Sequence, residues 1–168
     1  MKKFFKRIIL TAIFFVVIFK VFPKIGLYTY IFDRGNYKNS YNPPDKVISD
    51  LDELTPKTKK LALKFLKCCE EKGLPVKITE TYRTKARQEF LYSQGRTTEG
   101  PIVTWTKESK HMKRYAFDIC KDGDNPYGDE EFFKMCAEIG REVGLTPGYF
   151  WKEYKDMPHY ELNRWWTP

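Results

Sequence analysis

Apolar residues three and four positions apart predict helices in two parts of this chain. They are Leu61, Phe65, Leu66 and Cys69 in the first part, and Phe132, Cys136, Ile139 and Val143 in the second. Thr55 followed by a proline is typical of a helix start, and Gly73 and Gly144 end the two patterns. Between them, Thr84 caps another predicted helix, which ends at Gly95.

Short apolar and alternating runs predict strands between these helices. Residues 76–81 alternate, residues 115–120 form an apolar run rich in aromatics, and residues 159–162 alternate again. Pro158 fits only the first residue of that last strand. Because helices surround a few short strands, we expect an α+β fold, a single domain with a small antiparallel sheet flanked by helices.

The N-terminal segment has the pattern of an export signal. Lys2, Lys3, Lys6 and Arg7 precede an apolar run over residues 8–19, which is short beside the roughly 20 residues of a membrane-spanning helix. Because no Ala-x-Ala site follows, we favour an uncleaved apolar helix as a membrane anchor over a cleaved signal peptide. The positive end would then be cytoplasmic, with residue 25 onward outside. The expected organisation is 1–24 signal-anchor or signal peptide, 25–45 linker and 46–168 a single domain.

Charge fits this organisation and gives little reason to expect nucleic-acid binding. The formal net charge is +8, but six of the 30 basic residues lie in the first 24 positions, which contain no acid. The remainder is almost balanced, with 24 basic and 22 acidic residues. A balanced domain lacks the excess positive charge that phosphate backbones attract. About 120 residues suffice for one domain with a core, and we expect a monomer.

Four polar residues are candidates for metal chemistry. His111 and His159, the two histidines of the chain, and Asp118 could supply three ligands to a catalytic zinc, which keeps its fourth position for water. Asp118 lies inside an apolar strand, where a carboxylate is costly unless paired. Asp156, three residues before His159, is the candidate base. Without an HExxH or CxxC motif, the spacing alone leaves hydrogen-bonded core residues as an equal alternative.

Longer motifs carry a resemblance to a known family. These are Ser-x-His with Asp seven residues after the His, Asp-x-Pro-His-Tyr-Glu, Ile-Thr-Glu-Thr-Tyr-Arg at 78–83, and the segments 88–96 and 100–104. Together they resemble the zinc D-alanyl-D-alanine carboxypeptidase (VanY-like) family, and in particular its L-alanyl-D-glutamate endopeptidase branch of phage endolysins and bacterial wall hydrolases. The resemblance covers residues 46 to 164.

The resemblance implies roles for individual residues. His111, Asp118 and His159 would bind one zinc ion, Asp156 would be the general base, and Arg83 would reach the substrate or the developing oxyanion. Gln88 and Ser109 also occupy motif positions of the family. Many relatives have Gly three residues after the first His, where this chain has Arg114, so we expect Arg114 to alter the rim of the site.

The same resemblance implies a fold, shared with the Hedgehog signalling domain, and a substrate. We expect hydrolysis of the peptidoglycan stem peptide, at the L-Ala–D-Glu bond, by an enzyme of the cell envelope that is membrane-anchored or secreted. The alternatives are a D-alanyl-D-alanine carboxypeptidase and a catalytically inactive module that binds wall peptides.

The four cysteines allow two interpretations. Cys68, Cys69, Cys120 and Cys136 occupy apparent core positions. We favour buried thiols, but outside the cytoplasm a disulfide from Cys120 to Cys136, or from either of these to the first pair, is also allowed.

Overall fold

The structure, a computed structural model, describes residues 2–38 and 43–164. The chain divides into two compact units, residues 1–34 with 164–168 and residues 35–163. In the first unit, helix α1 (Lys2–Val16) is followed by a π-helical segment (Val17–Val21) and by helices α2 (Phe22–Lys24) and α3 (Leu27–Phe32). Within the described ranges, no helix is both long enough and apolar enough to cross a membrane. The N-terminal anchor stays a prediction.

Three helices form in the second unit near the predicted positions: α4 (Pro56–Glu71), α5 (Lys85–Ser93) and α6 (Glu130–Val143). Each begins at a side-chain cap, because Thr55, Thr84 and Asp129 accept hydrogen bonds from amides that have no partner inside the helix. Gly144 ends α6 in the left-handed conformation. Helix α5 ends at Ser93, two residues before the end predicted at Gly95, because Gln94 has extended backbone angles.

A four-stranded antiparallel sheet confirms the predicted α+β class. Its strands are β1 (Val76–Glu80), β2 (Ala116–Lys121), β3 (Thr146–Pro147) and β4 (His159–Glu161), in the order β1-β2-β4-β3. The register places Asp118 of β2 opposite His159 of β4 and opposite Glu80 of β1. The sheet therefore brings together polar side chains from three distant parts of the sequence.

One face of the sheet packs against the helices. Phe117 and Tyr160 alternate with Asp118 and His159, so they point to the opposite face. Their rings stack with centroids 5.5 Å apart, and the ring of Phe65 from α4 lies 4.8 Å from that of Tyr160. All three side chains are fully buried. This aromatic cluster fixes the strands whose other face carries the polar group.

All four cysteines are free thiols. Cys68 is half-buried, and the other three are buried. Cys69 of α4 and Cys136 of α6 belong to the same hydrophobic core.

Candidate metal centre and active site

Three predicted ligand side chains come together on the sheet. His111 lies in a 3₁₀ turn (Lys110–Lys113), and its amide donates to the Ser109 hydroxyl, while Asp118 and His159 come from paired strands. His111 Nε2 and His159 Nδ1 each lie 3.1 Å from Asp118 Oδ1 and 3.2 Å from each other. Three residues separated by up to 48 positions therefore place three ligand atoms in one small triangle.

Hydrogen bonds to residues outside the triangle determine which ring nitrogen of each histidine faces it. His111 Nδ1 lies 2.7 Å from the carbonyl oxygen of Thr81, and His159 Nε2 lies 3.3 Å from the Glu161 carboxylate. Each of these nitrogens is assigned as the N–H donor, because a carbonyl and a carboxylate only accept. The inward nitrogens then present lone pairs to each other and to Asp118. Three acceptors this close together require a proton or a cation between them.

The donor set fits a zinc ion. Zinc bonds of about 2.0–2.1 Å at tetrahedral angles separate neighbouring ligand atoms by about 3.3–3.4 Å, close to the spacing of the triangle. Two imidazole nitrogens and one carboxylate oxygen are ligand types that catalytic zinc uses, with a fourth position left for water or substrate. The group formed by His111, Asp118 and His159 can therefore hold a metal ion.

The electrostatics of the metal-free group favour positive charge. Burial by itself would raise the pKa of Asp118, but the imidazoles of His111 and His159 hold it well below its ordinary value. Burial by itself would lower the pKa of His159, yet hydrogen bonds to Asp118 and Glu161 raise it to about 10. A proton is thus held strongly at the centre of the group, where a metal ion would replace it.

Arg83 lies next to the metal-ligand candidate Asp118. Its Nη2 is 3.5 Å from Asp118 Oδ2, its Nε donates to Glu80, and its Nη1 donates to Gln88 Oε1 over 2.9 Å. Its backbone amide donates to the carbonyl of His111. One Nη1 hydrogen keeps no acceptor among the residues that the structure describes. Arg83 is therefore held rigidly beside the group, with one donor left for another molecule.

Asp156 lies on the loop that leads into β4. Its amide donates to the carbonyl of Gly148 over 3.0 Å, and its own carbonyl accepts from the amide of His159. Although Asp156 as a residue is exposed, protein groups crowd its carboxyl, and this burial raises the carboxyl's pKa. The same carboxyl interacts electrostatically with the two histidines, Asp118 and Arg83. A carboxyl with a raised pKa binds a proton more readily than an ordinary aspartate does.

Gly148 and Trp151 belong to the site but have no clear signal in the sequence. A Cβ at position 148 would lie 2.5 Å from the carbonyl oxygen of Asp156 and 3.2 Å from Cβ of His159. Only glycine therefore allows this loop to pack so closely. The ring of Trp151 lies 5.1 Å from that of His159. Neither contact could be inferred from spacing, because both depend on how the loop folds back.

Gln88 and Ser109, at the two other motif positions, have contacts that are structural. Gln88 is buried and connects Arg83 to the 104–106 loop, donating to the carbonyl of Thr106 over 2.6 Å. The hydroxyl of Ser109 accepts from the amide of His111. Both residues hold groups of the site in place.

Arg114 adopts the left-handed conformation, with φ of 64°, that glycine adopts without strain. Its side chain turns toward buried Glu53, with which it forms an ion pair. Its guanidinium lies between the rings of Tyr37 and Tyr82, 4.0 and 3.6 Å from their centroids. Arg114 thus connects residues 37 and 53 to the turn that carries His111.

The fold is that of peptidases that act on peptidoglycan. The Serratia marcescens L-Ala D-Glu endopeptidase ChiX is similar, with a TM-score of 0.54, 22% identity, and coverage of 67% of this chain and 83% of that protein. The LD-carboxypeptidase LdcB is also similar, with a TM-score of 0.52, 19% identity, and coverage of 74% and 72%. At these identities, the likeness establishes the fold.

A sequence relative establishes the family. The chain is 35% identical over 124 residues to the peptidoglycan L-alanyl-D-glutamate endopeptidase CwlK of Bacillus subtilis (strain 168), which covers 66% of this chain and 74% of that protein. No family model matches the chain. It belongs to the VanY-like family of peptidoglycan peptidases, as its motifs predict.

Proposed function

We propose that this protein is a zinc-dependent endopeptidase that hydrolyses the L-Ala–D-Glu bond of the peptidoglycan stem peptide. One observation carries the proposal: three ligand atoms with inward lone pairs lie 3.1–3.2 Å apart, beside a carboxyl of raised pKa and a fixed guanidinium. The named activities of CwlK and ChiX support this choice of bond.

His111, Asp118 and His159 would hold the metal. Zinc bound there would polarise the scissile carbonyl and lower the pKa of the attacking water. The Asp156 carboxylate would accept a proton as water attacks the carbonyl carbon, and it would then pass that proton to the departing amine. Its raised pKa suits both steps, because a carboxyl with an ordinary pKa would be a weaker base.

Arg83 supplies the remaining charge stabilisation. Its contact with Asp118 keeps the guanidinium beside the three ligand side chains. Its remaining Nη1 hydrogen can donate to a substrate carbonyl or carboxylate. Donors fixed before the reaction need no reorganisation as negative charge develops. Contacts with Glu80 and Gln88 provide this rigidity.

A carboxypeptidase is the second candidate. LdcB, an LD-carboxypeptidase, has a fold as similar to this chain as that of ChiX, so the fold alone does not select the bond. Release of D-Ala, including from a D-alanyl-D-alanine terminus, would identify this activity. A binding module without catalysis is less well supported, because it has no need for the Asp156 carboxyl beside the metal group.

Location and assembly complete the proposal. The positive N-terminal residues followed by an apolar run support export, with the enzymatic unit acting in the cell envelope from a membrane anchor or after secretion. We propose a monomer, since the motif residues of the site all come from one chain.

Mass spectrometry of peptidoglycan digested by the full chain tests the function. Zinc-loaded protein should generate a new N-terminal D-Glu, and chelation should abolish it. Asp118→Ala should lose both zinc and cleavage, whereas Asp124→Ala, the same change in an exposed carboxylate outside the metal group, should retain both. Released D-Ala would instead identify the carboxypeptidase, and no cleavage by folded, zinc-bound protein would favour the binding module.

A further inference from the structure

Two large aromatic side chains stack on each other while remaining exposed. The ring centroids of Trp105 and Tyr154 are 5.0 Å apart with an angle of 28° between the planes. Trp105 is 58% exposed and Tyr154 is 55% exposed. Exposed aromatic surface of this extent is costly in water and commonly marks a place where a ligand binds. We call Trp105 and Tyr154 the aromatic pair.

Both members of the aromatic pair come from loops joined to the metal site. Trp105 lies between Thr104 and Thr106, and the amide nitrogen of Gln88 donates to Thr104 Oγ1 and to the Thr106 carbonyl. The other end of the Gln88 amide accepts from Arg83. Tyr154 lies on the 151–156 loop, which begins at Trp151, packed on His159, and ends at Asp156. The aromatic pair therefore lies at the rim of the metal site.

A cation holds the Trp105 loop in place. Arg96 Nη1 donates to the carbonyls of Tyr92 and Thr104, over 2.7 and 3.1 Å. The Arg96 guanidinium also lies 4.0 Å from the ring of Tyr92 and 5.7 Å from that of Trp105. Such contacts fix the loop before a ligand arrives, which lowers the entropy cost of binding. The same contacts commit the Nη1 group of Arg96 to the loop.

A ligand for the aromatic pair must present an apolar face with a polar edge. A pyranose ring does so, since its axial C–H bonds form an apolar face while its hydroxyl and amide groups point outward to water. Aromatic faces attract such C–H groups by dispersion and by their negative quadrupole. Arg96 and Lys107 are exposed near the pair, but the stacked faces of Trp105 and Tyr154 are themselves uncharged and so match the apolar face of a sugar better than a peptide carboxylate.

We propose that the aromatic pair binds an N-acetylated amino sugar of the glycan strand, and this inference rests on the proposed function. In peptidoglycan, the L-Ala of the stem peptide is attached to the lactyl group of muramic acid. One residue, about 3.5 Å of extended chain, separates the sugar attachment from the L-Ala–D-Glu bond. A substrate with that bond at the metal site therefore carries its sugar to the rim, whereas a bond at the D-Ala end lies several residues farther away.

The test compares two substrates with the same peptide, one carrying the disaccharide and one starting at free L-Ala. Trp105→Ala and Tyr154→Ala should each reduce kcat/KM for the disaccharide peptide about tenfold relative to wild type. Neither should change kcat/KM for the free peptide. Trp105→Phe, which keeps an aromatic ring, should recover most of the loss. Phe90→Ala is the control, because Phe90 is exposed two residues beyond Gln88 and so faces away from the rim.

Equal losses on both substrates, or no loss on either, would overturn the sugar site while leaving the peptidase activity established. Failure of the zinc-loaded wild type to cleave either substrate would refute the proposed function and this inference with it. Binding of peptide-free glycan strands to the full chain, measured by titration, gives an independent test. Binding that Trp105→Ala weakens and Phe90→Ala retains supports the site, and no binding to wild type contradicts it.

Discussion

Replacing Gly148 by Ala should strongly reduce the activity of the enzyme without unfolding it. The new Cβ would lie 2.5 Å from the carbonyl oxygen of Asp156, 3.1 Å from its Cβ and 3.2 Å from Cβ of His159. The backbone at Asp156 is fixed in turn, because its amide donates to the Gly148 carbonyl and its carbonyl accepts from His159. The methyl group therefore displaces the base and a metal ligand together.

The size of the effect follows from the overlap. Relieving a 2.5 Å contact between carbon and oxygen requires a shift of about 0.9 Å, since such atoms come to rest near 3.4 Å. Misplacement of a reacting group by about 1 Å can cost about a hundredfold in rate. Overpacking of a tight site costs about 1–3 kcal/mol of stability. We expect kcat/KM for the stem peptide to fall about a hundredfold, with weaker zinc binding.

The assay is peptide hydrolysis with saturating zinc, alongside zinc affinity and denaturant unfolding. Gly144→Ala is the matched control, because Gly144 has φ of 95° and an alanine there strains the end of α6, outside the 148–159 loop. Its stability should fall by about 1 kcal/mol while the activity of the folded protein is retained. If Gly148→Ala had the same kcat/KM as the wild type, the contact between residue 148 and Asp156 would not position the Asp156 carboxyl.

Three more substitutions test separate parts of the site and core. Asp156→Asn should reduce kcat about 10²–10⁴-fold. Because burial raises the pKa of Asp156, the free energy of unfolding of the metal-free wild type should fall as pH rises through that pKa, and Asp156→Asn should lack this fall. Equal slopes of unfolding free energy against pH in the two proteins would contradict this. Arg83→Lys should reduce kcat/KM about 10²–10³-fold with zinc affinity retained, and loss of zinc instead would assign Arg83 to metal binding. Tyr160→Phe removes a buried hydroxyl without a partner among the described residues and should stabilise the protein by about 1 kcal/mol; destabilisation measured by urea unfolding would refute this.

The helices and the site strands could be predicted because local patterns determine them. Caps such as Thr55 and Thr84 lie where the sequence indicates, and Asp118 inside an apolar strand indicates a paired carboxylate. Alternation also predicts that Glu161 shares a face with His159, where it contacts the outer ring nitrogen. Strand β3 was not predicted, since two residues are too few for a pattern to repeat.

The remaining geometry depends on contacts between distant residues. The carbonyl of Thr81 orients His111 only because β1 and the 3₁₀ turn meet in space. Gly148 has no positive φ, so nothing in its local sequence distinguishes it from an ordinary loop glycine. The Trp105 and Tyr154 rings stack across 49 positions of sequence. Such contacts become visible only after the sheet register has placed the loops side by side.

Arg114 makes evolutionary change near the site depend on the order of substitutions. Replacing Arg114 by glycine would remove about 1–3 kcal/mol of left-handed backbone strain. It would also take the guanidinium from the buried carboxylate of Glu53, at a cost of about 3–5 kcal/mol. Glycine at position 114 should therefore be tolerated only after Glu53 has been neutralised, so the two positions should covary among close relatives of this chain.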